Sequence, residues 1–334
     1  MEVGQIRGSA VYLHRGHHRR SLSVSLSIAP PKSEKRIFML GMGFVGQTLA
    51  RKLHNQGWVV SGTCTNHVKK KQLEDMGFHV HLFDANYPDL NVLQLLKNYT
   101  HFLVSVPPML GIGDPMLQHE ELIRSSLVNG DMQWLCYLSS TSVYGDCGGE
   151  LVDEDYPTNP ENELAKLRLA SEEGWSNLAH CLGFSPLIFR LGGIYGPRRS
   201  AIDTLIKQKP LSEGQKRRTH RKYTSRVHVE DICQALMATI DKPPPREVYN
   251  IVDDDPAPRE EVFENARKLV EKKWPGLNLQ PLEQKDRSIV ETRNLKGEKR
   301  VSNARMKNEL GVQLLHPDYR SGLQSIIDQI ESPF

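Results

Sequence analysis

Six short apolar runs recur between residues 36 and 191, and the first five are each followed by a helical pattern. The runs are RIFMLG (36–41), WVVSGTC (58–64), FHVHLFD (78–84), HFLVSVPP (101–108), WLCYLSS (134–140) and SPLIFRL (185–191). Helical periodicity fills 45–55, 68–76, 89–98, 115–129 and 162–182. Strands alternating with helices form right-handed βαβ units. Repeated, these units predict an α/β fold, a doubly wound parallel sheet with helices on both faces.

EVYNIVDD (247–254) predicts a seventh strand, so the second half of the chain returns to the sheet. Around it lie helical patterns at 229–241, 258–274 and 302–311, the last with Asn303 as N-cap and Gly311 just past its end. The expected organisation is a Rossmann core over 34–195 and a small C-terminal α/β lobe over 196–330. That lobe lies on the substrate side and is interleaved with the last strand.

The leader is set apart by composition. Residues 1–33 hold Arg7, Arg15, Arg19, Arg20 and Lys32 against one acid, Glu2, with serines clustered in RRSLSVSLSIAPP. An Arg- and Ser-rich, acid-poor segment without a secretory apolar core reads as an organelle transit peptide. Dense serine and no clear helical period favour a chloroplast over a mitochondrion; a disordered cytoplasmic tail is the alternative.

LGMGFVG places Gly41, Gly43 and Gly46 directly after the first strand and at the opening of a helix. Gly41 permits the tight turn, Gly43 the approach of a pyrophosphate to the backbone, and Gly46 close packing of helix on strand. The intervening Met42, Phe44 and Val45 supply amides at the helix N-terminus, a natural anion site. This predicts dinucleotide binding. An NAD site usually has an acid at the end of the second strand. Here the chain reads GTCTNHVKKK (62–71), with Thr63, Thr65 and Asn66 and no acid. The expected cofactor is therefore NADP, with NAD possible.

Several stretches resemble the short-chain dehydrogenase/reductase superfamily, in its extended, NAD-dependent epimerase/dehydratase-like branch. They are YLSSTSVYG (137–145), RLGGIYGPRR (190–199), SRVHVEDI (225–232), EVYNIVDDDPAPREEV (247–262) and KRVSNARMKNELG (299–311). The resemblance implies that Asp84 and Ala85 lie by the adenine, and that Val106, Pro107 and Ser140 lie by the nicotinamide. It implies that Ser140, with Ser142 nearby, polarises a substrate oxygen. It also implies a tyrosine as acid/base on the next helix and a lysine four residues on. ENELAKLRLASEE (161–173) places Leu164 and Arg168 there instead. Leucine cannot move a proton, and arginine does not titrate near neutrality, although it can hold a ribose hydroxyl or phosphate.

Two readings stay open. One is an NADP-dependent oxidoreductase or epimerase-type enzyme with a displaced acid/base, drawn from Tyr144, Tyr195, Tyr223, His228, Asp146 and Glu154. Of these, Tyr144 also suits packing beneath the sheet edge, and His228 a backbone hydrogen bond. The other reading is a non-catalytic NADP(H) sensor or structural partner.

The net charge of +3 gives no reason to expect nucleic acid or membrane as partner. The basic stretch KRRTHRKYTSR (216–226) reads first as a solvated loop, and the resemblance implies as an alternative that it meets a phosphate or carboxylate on a small-molecule substrate, to which Arg198 and Arg199 could add. Arg190, at a strand end, suits a structural ion pair. Five cysteines without CxxC spacing give no zinc or disulfide framework, and no metal is expected. Monomer and homodimer both remain open.

Overall fold

Seven parallel strands form the central sheet of the structure, a computed structural model that describes residues 35–128, 130–207, 223–240, 242, 244–279 and 299–333. The expected leader lies outside the described residues, as does most of the basic stretch. From residue 34 onward the chain forms one compact unit.

The first half supplies β1 (Arg36–Leu40), α1 (Phe44–His54), β2 (Val59–Cys64), α2 (His67–Glu74), β3 (His79–Leu82), α3 (Asn91–Gln94), β4 (His101–Val104), α4 (Glu120–Val128) and β5 (Trp134–Ser140). Next come β6 (Leu151–Val152), α5 (Glu163–Cys181), β7 (Leu187–Leu191), β8 (Gly193–Tyr195), α6 (Ala201–Lys207), β9 (Arg226–His228) and α7 (Val229–Ile240). The chain ends with β10 (Val248–Ile251), α8 (Arg259–Lys273), β11 (Arg300–Val301), α9 (Ala304–Leu310) and α10 (Tyr319–Gln329).

The sheet runs β3-β2-β1-β4-β5-β7-β10, with every neighbouring pair parallel. The winding reverses between β1 and β4, and such a switch point opens a ligand crevice at the strands' carboxyl ends.

Alternation along β1 shows how the sheet is covered. Ile37 and Met39 pack with α1 and α7 on one face. Phe38 and Leu40 pack with Leu93, Ile123 and Trp175, from α3, α4 and α5, on the other. Strands buried on both sides need continuous apolar runs, which is what the sequence supplies. A separate apolar cluster joins α6, α8 and α10 through Ile202, Phe263 and Leu323. Two small parallel pairs, β8 with β9 and β11 with β6, tie late segments to early ones.

Helical patterns were continuous in the sequence where the chain is not. The expected helix 89–98 is a short α-turn, α3, followed by a 3₁₀ turn at Leu95–Asn98. Asn303 precedes α9, but its side chain does not cap it. Its Nδ2 donates to Val252 O and Asp254 Oδ1 (3.0 and 2.7 Å), while Ser302 Oγ accepts from the Ala304 amide (3.3 Å). Gly311 ends α9 in the left-handed conformation. No helix among the described residues is long and apolar enough to cross a membrane.

Candidate functional site

The glycine loop is clamped between the ends of β2 and β4. Gly41 N donates to Thr63 Oγ1 (2.9 Å), Met42 N to Thr63 O (2.7 Å), and Ser105 Oγ donates to Gly41 O (2.9 Å). Gly41 has φ +97°, and a Cβ there would stand 3.1 Å from Val106 Cγ2. At Gly46 a Cβ would come within 2.9 Å of Gly41 O, so helix and loop touch through bare backbone. At Gly43 a Cβ would meet nothing within 4 Å. The glycine that no protein atom requires is thus the one facing the crevice. No side chain caps the N-terminus of α1, and its first turn carries no acid. This is a fitting cradle for a pyrophosphate.

Thr63 departs from its expected place. It is 2% exposed, and its hydroxyl supports the loop instead of reaching outward. Thr65 and Asn66 are exposed at the end of β2, and Asn66 Oδ1 caps α2 by accepting from Lys69 N (2.8 Å). Asp84 is exposed, with Oδ1 accepting from Asn86 N (2.9 Å), and Ala85 beside it is half-buried.

Beyond the loop lies an inner cavity of about 550 Å³, reaching from Gly43–Val45 and Pro107 to the end of β5 and the start of β8. Ser140, Ser142 and Arg168 line it, but Tyr144 does not. Ser140 Oγ accepts from Ser142 N (3.2 Å) at the head of a 3₁₀ turn, Thr141–Tyr144, which directs its own proton elsewhere. Arg168 Nη1 donates to Leu138 O (3.0 Å). α5 contains no tyrosine, and Leu164 on it is 48% exposed.

Tyr144 is fully buried. Its hydroxyl donates to Asn250 Oδ1 (2.8 Å) and accepts from Arg190 Nη1 (3.0 Å). Burial raises its pKa, against the pull of Arg190. Its role as acid/base is therefore corrected to a structural one. Arg190 in turn makes a buried ion pair with Glu172, Nη2 to Oε2 at 2.8 Å.

The other displaced candidates divide by position. Glu154 is buried, with Oε1 accepting from Asn250 N (2.7 Å). Asp146 Oδ1 accepts from Gly148 N (3.0 Å). His228 Nδ1 accepts from Glu230 N (3.2 Å), and burial together with His316 lowers its pKa to about 3. Tyr195 is held by Asp318 O (3.3 Å), with its pKa raised by burial. Tyr223 alone of the six lines the inner cavity.

An outer cavity of about 570 Å³ shares Gly193, Ile194, Arg199 and Thr224 with the inner one. Arg198, Arg199, Lys207, Arg226 and Arg259 line it, with Asp203 as its one carboxylate. Thr224 Oγ1, on the wall both cavities share, and Ser225 Oγ, on the inner one, are buried without a hydrogen-bond partner. Buried hydroxyls left unpaired cost stability, so such atoms mark where a polar ligand binds. Sequence reading missed both, since nothing local distinguishes them from loop residues.

Behind Arg226, Asp253 is 2% exposed, and neither carboxylate oxygen has a hydrogen-bond partner. Burial raises its pKa to about 8, partly offset by Arg226. The unfolded carboxyl titrates near 4. The folded state thus holds the extra proton, and stability is greatest below about pH 4 and is lost as pH rises through about 8. Urea denaturation should show wild type less stable at pH 9 than at pH 5 by about 2 kcal/mol or more, at ~1.4 kcal/mol per pKa unit. Asp253→Asn should remove this difference.

Comparisons with known proteins follow this geometry. The profile of the NAD dependent epimerase/dehydratase family matches residues 119–252. Protein YeeZ of Escherichia coli K12 is 28% identical over 291 residues, spanning 85% of this chain and 97% of its own. A functionally unknown conserved protein from Silicibacter pomeroyi superposes with a TM-score of 0.70 at 32% identity, over 89% of this chain and 100% of that one. UDP-glucuronic acid 4-epimerase from Bacillus cereus in complex with NAD superposes at 0.64 with 17% identity, over 88% and 96%.

Proposed function

We propose, for a chain that belongs to the NAD-dependent epimerase/dehydratase family, that it binds a nicotinamide dinucleotide and acts on a carbinol carbon of an anionic, hydroxyl-rich small molecule. The observation that carries the proposal is the continuity of a bare Gly43 cradle with an inner cavity lined by Ser140, which shares Arg199 and Thr224 with an outer cavity lined by five cations. The dinucleotide, when bound, supplies a hydride acceptor or donor. Ser140 directs its proton to the substrate oxygen, and Arg168 holds the end of β5. Arg226 and Arg259 draw in the anionic group, and the Thr224 and Ser225 hydroxyls meet substrate hydroxyls.

The family is NAD-dependent, and structural neighbours carry NAD. On our reading this chain prefers NADP(H), since Thr65 and Asn66 stand exposed where an acid would repel a 2′-phosphate. Calorimetric titration of residues 34–334 tests both points. Micromolar binding of NADPH and NADP+ alone is expected. Tighter NAD+ binding would refute the preference, and no binding by NADPH, NADP+, NADH or NAD+ would refute the cradle.

The absence of a tyrosine on α5 favours a second reading, a dinucleotide-binding sensor without turnover. UDP-glucuronic acid, which is anionic at both ends, separates the two. Under the enzyme reading it binds the loaded protein, and Arg226→Ala weakens that binding about tenfold, the cost of one charge-assisted contact. Dinucleotide affinity should stay unchanged in that variant. We also propose that residues 1–33 direct the chain to a plastid, which a fluorescent fusion of that segment tests.

A further inference from the structure

The inner cavity contains few groups able to exchange a proton. Among the described residues its lining includes no carboxylate and no imidazole. Arg168 and Arg199 present guanidinium groups, which suit holding an anion and not carrying a proton. Its serine and threonine hydroxyls are poor proton carriers unless another group activates them. Two side chains remain, Tyr223 and Lys299.

They are not held alike. The ring of Tyr223 lies against the half-buried Gly149, with the guanidinium of the exposed Arg300 5.4 Å from its centroid. Neither neighbour lines the cavity. Lys299 is only 9% exposed. Its Nζ donates one hydrogen bond to Gly145 O (2.9 Å), directly after the turn that Ser140 heads. The backbone fixes it there. Arg300 N donates to Glu150 O (2.9 Å), Ser302 N donates to Val152 O (2.8 Å), and β11 pairs with β6. A lysine directly before a paired strand, buried yet lining a cavity, has lost much of the freedom that makes surface lysines poor catalysts.

We infer that Lys299, delivered by β11 to the end of the Ser140 turn, is the catalytic acid/base that α5 lacks. The inference rests on the dinucleotide-binding reading above. In the oxidative direction the substrate's hydroxyl proton passes to the neutral Nζ, giving the ammonium. The C–H bond breaks at the same carbon, and its electron pair leaves with the hydrogen to the nicotinamide, giving a carbonyl held by Ser140. Reversal returns the ammonium proton to the oxygen as the hydride comes back. An ammonium can serve both directions because it gains and loses its proton at one nitrogen, which a guanidinium cannot do near neutrality.

Competitive labelling tests this without a known substrate. The full chain is pulsed with trace acetic anhydride at pH 8, with and without saturating NADPH, and acetylation at each lysine is counted by mass spectrometry. Calorimetry on the same samples records dinucleotide binding. Lys299 is expected to react at least fivefold faster than the exposed Lys272 and to be protected at least tenfold by NADPH. A lysine that only staples β11 to Gly145 would react slowly and without protection. If NADPH binds and Lys299 is slow or unprotected, the assignment is overturned while the dinucleotide reading stands. If NADPH does not bind, the labelling is repeated with whichever of NADP+, NADH or NAD+ does, and if none of the four binds, both fall. Lys299→Arg, checked by its melting temperature, should keep NADPH affinity within threefold, because the assignment gives Lys299 no part in holding the dinucleotide.

Discussion

Gly43→Val is expected to abolish dinucleotide binding, by at least a hundredfold, while leaving the melting temperature within about 2 °C of wild type. A Cβ at this position meets no protein atom within 4 Å, and the backbone at φ −78° accommodates any L-residue. The added isopropyl group then occupies only the space a pyrophosphate needs. Gly46→Val provides the contrast. Its Cβ would lie 2.9 Å from Gly41 O, a backbone atom that cannot turn aside. That variant should lose stability by several kcal/mol, as overpacking against backbone does. Calorimetry and thermal melts of the two variants separate a ligand-facing glycine from a packing glycine. Equal loss of stability in both would refute the distinction.

Glu172→Leu is expected to destabilise the fold by about 3–5 kcal/mol, the usual cost of stranding a buried charge. Glu172 Oε2 receives Arg190 Nη2 at 2.8 Å, and both side chains are almost wholly buried. Ser139 Oγ also donates to Glu172 Oε1, and Arg190 continues the network to Tyr144 and Asn250. Removing Glu172 leaves the guanidinium without its counter-charge beneath the edge that carries Ser140. The double variant Glu172→Leu, Arg190→Met should recover most of the loss, because an apolar pair of similar volume needs no desolvation of charge. Urea titrations measure both. A double variant as unstable as the single one would show that shape, and not charge, governs the site.

Much of the fold was legible because period and punctuation agreed. All seven strands of the sheet coincide with apolar runs in the sequence, and the glycine loop follows the first of them. The cradle was legible for the same reason: a turn, a helix start and a missing side chain are local properties. The rest of the site was not local. Thr63 looked like a ligand contact, yet its hydroxyl is spent on the Gly41 amide, a bond visible only once β1 and β2 are adjacent. Tyr144 was open to two readings, acid/base or packing beneath the sheet edge, and only the bond from its hydroxyl to Asn250 separates them. Lys299 gave no signal in the sequence, because its place depends on a two-residue strand pairing with residues about 150 positions earlier.

That pairing sets a timetable for the chain's birth. The pyrophosphate cradle is complete once β1, α1, β2 and β4 have formed, all within the first 104 residues. The inner cavity closes only when β11 arrives at residues 300–301. At ordinary rates of synthesis, roughly ten to forty seconds separate the two. During that interval a growing chain has the elements of its dinucleotide cradle but not the wall that Lys299 and Val301 supply. On the reading that Lys299 is the acid/base, turnover waits for β11, and clipping the chain before Lys299 would abolish it while sparing the cradle.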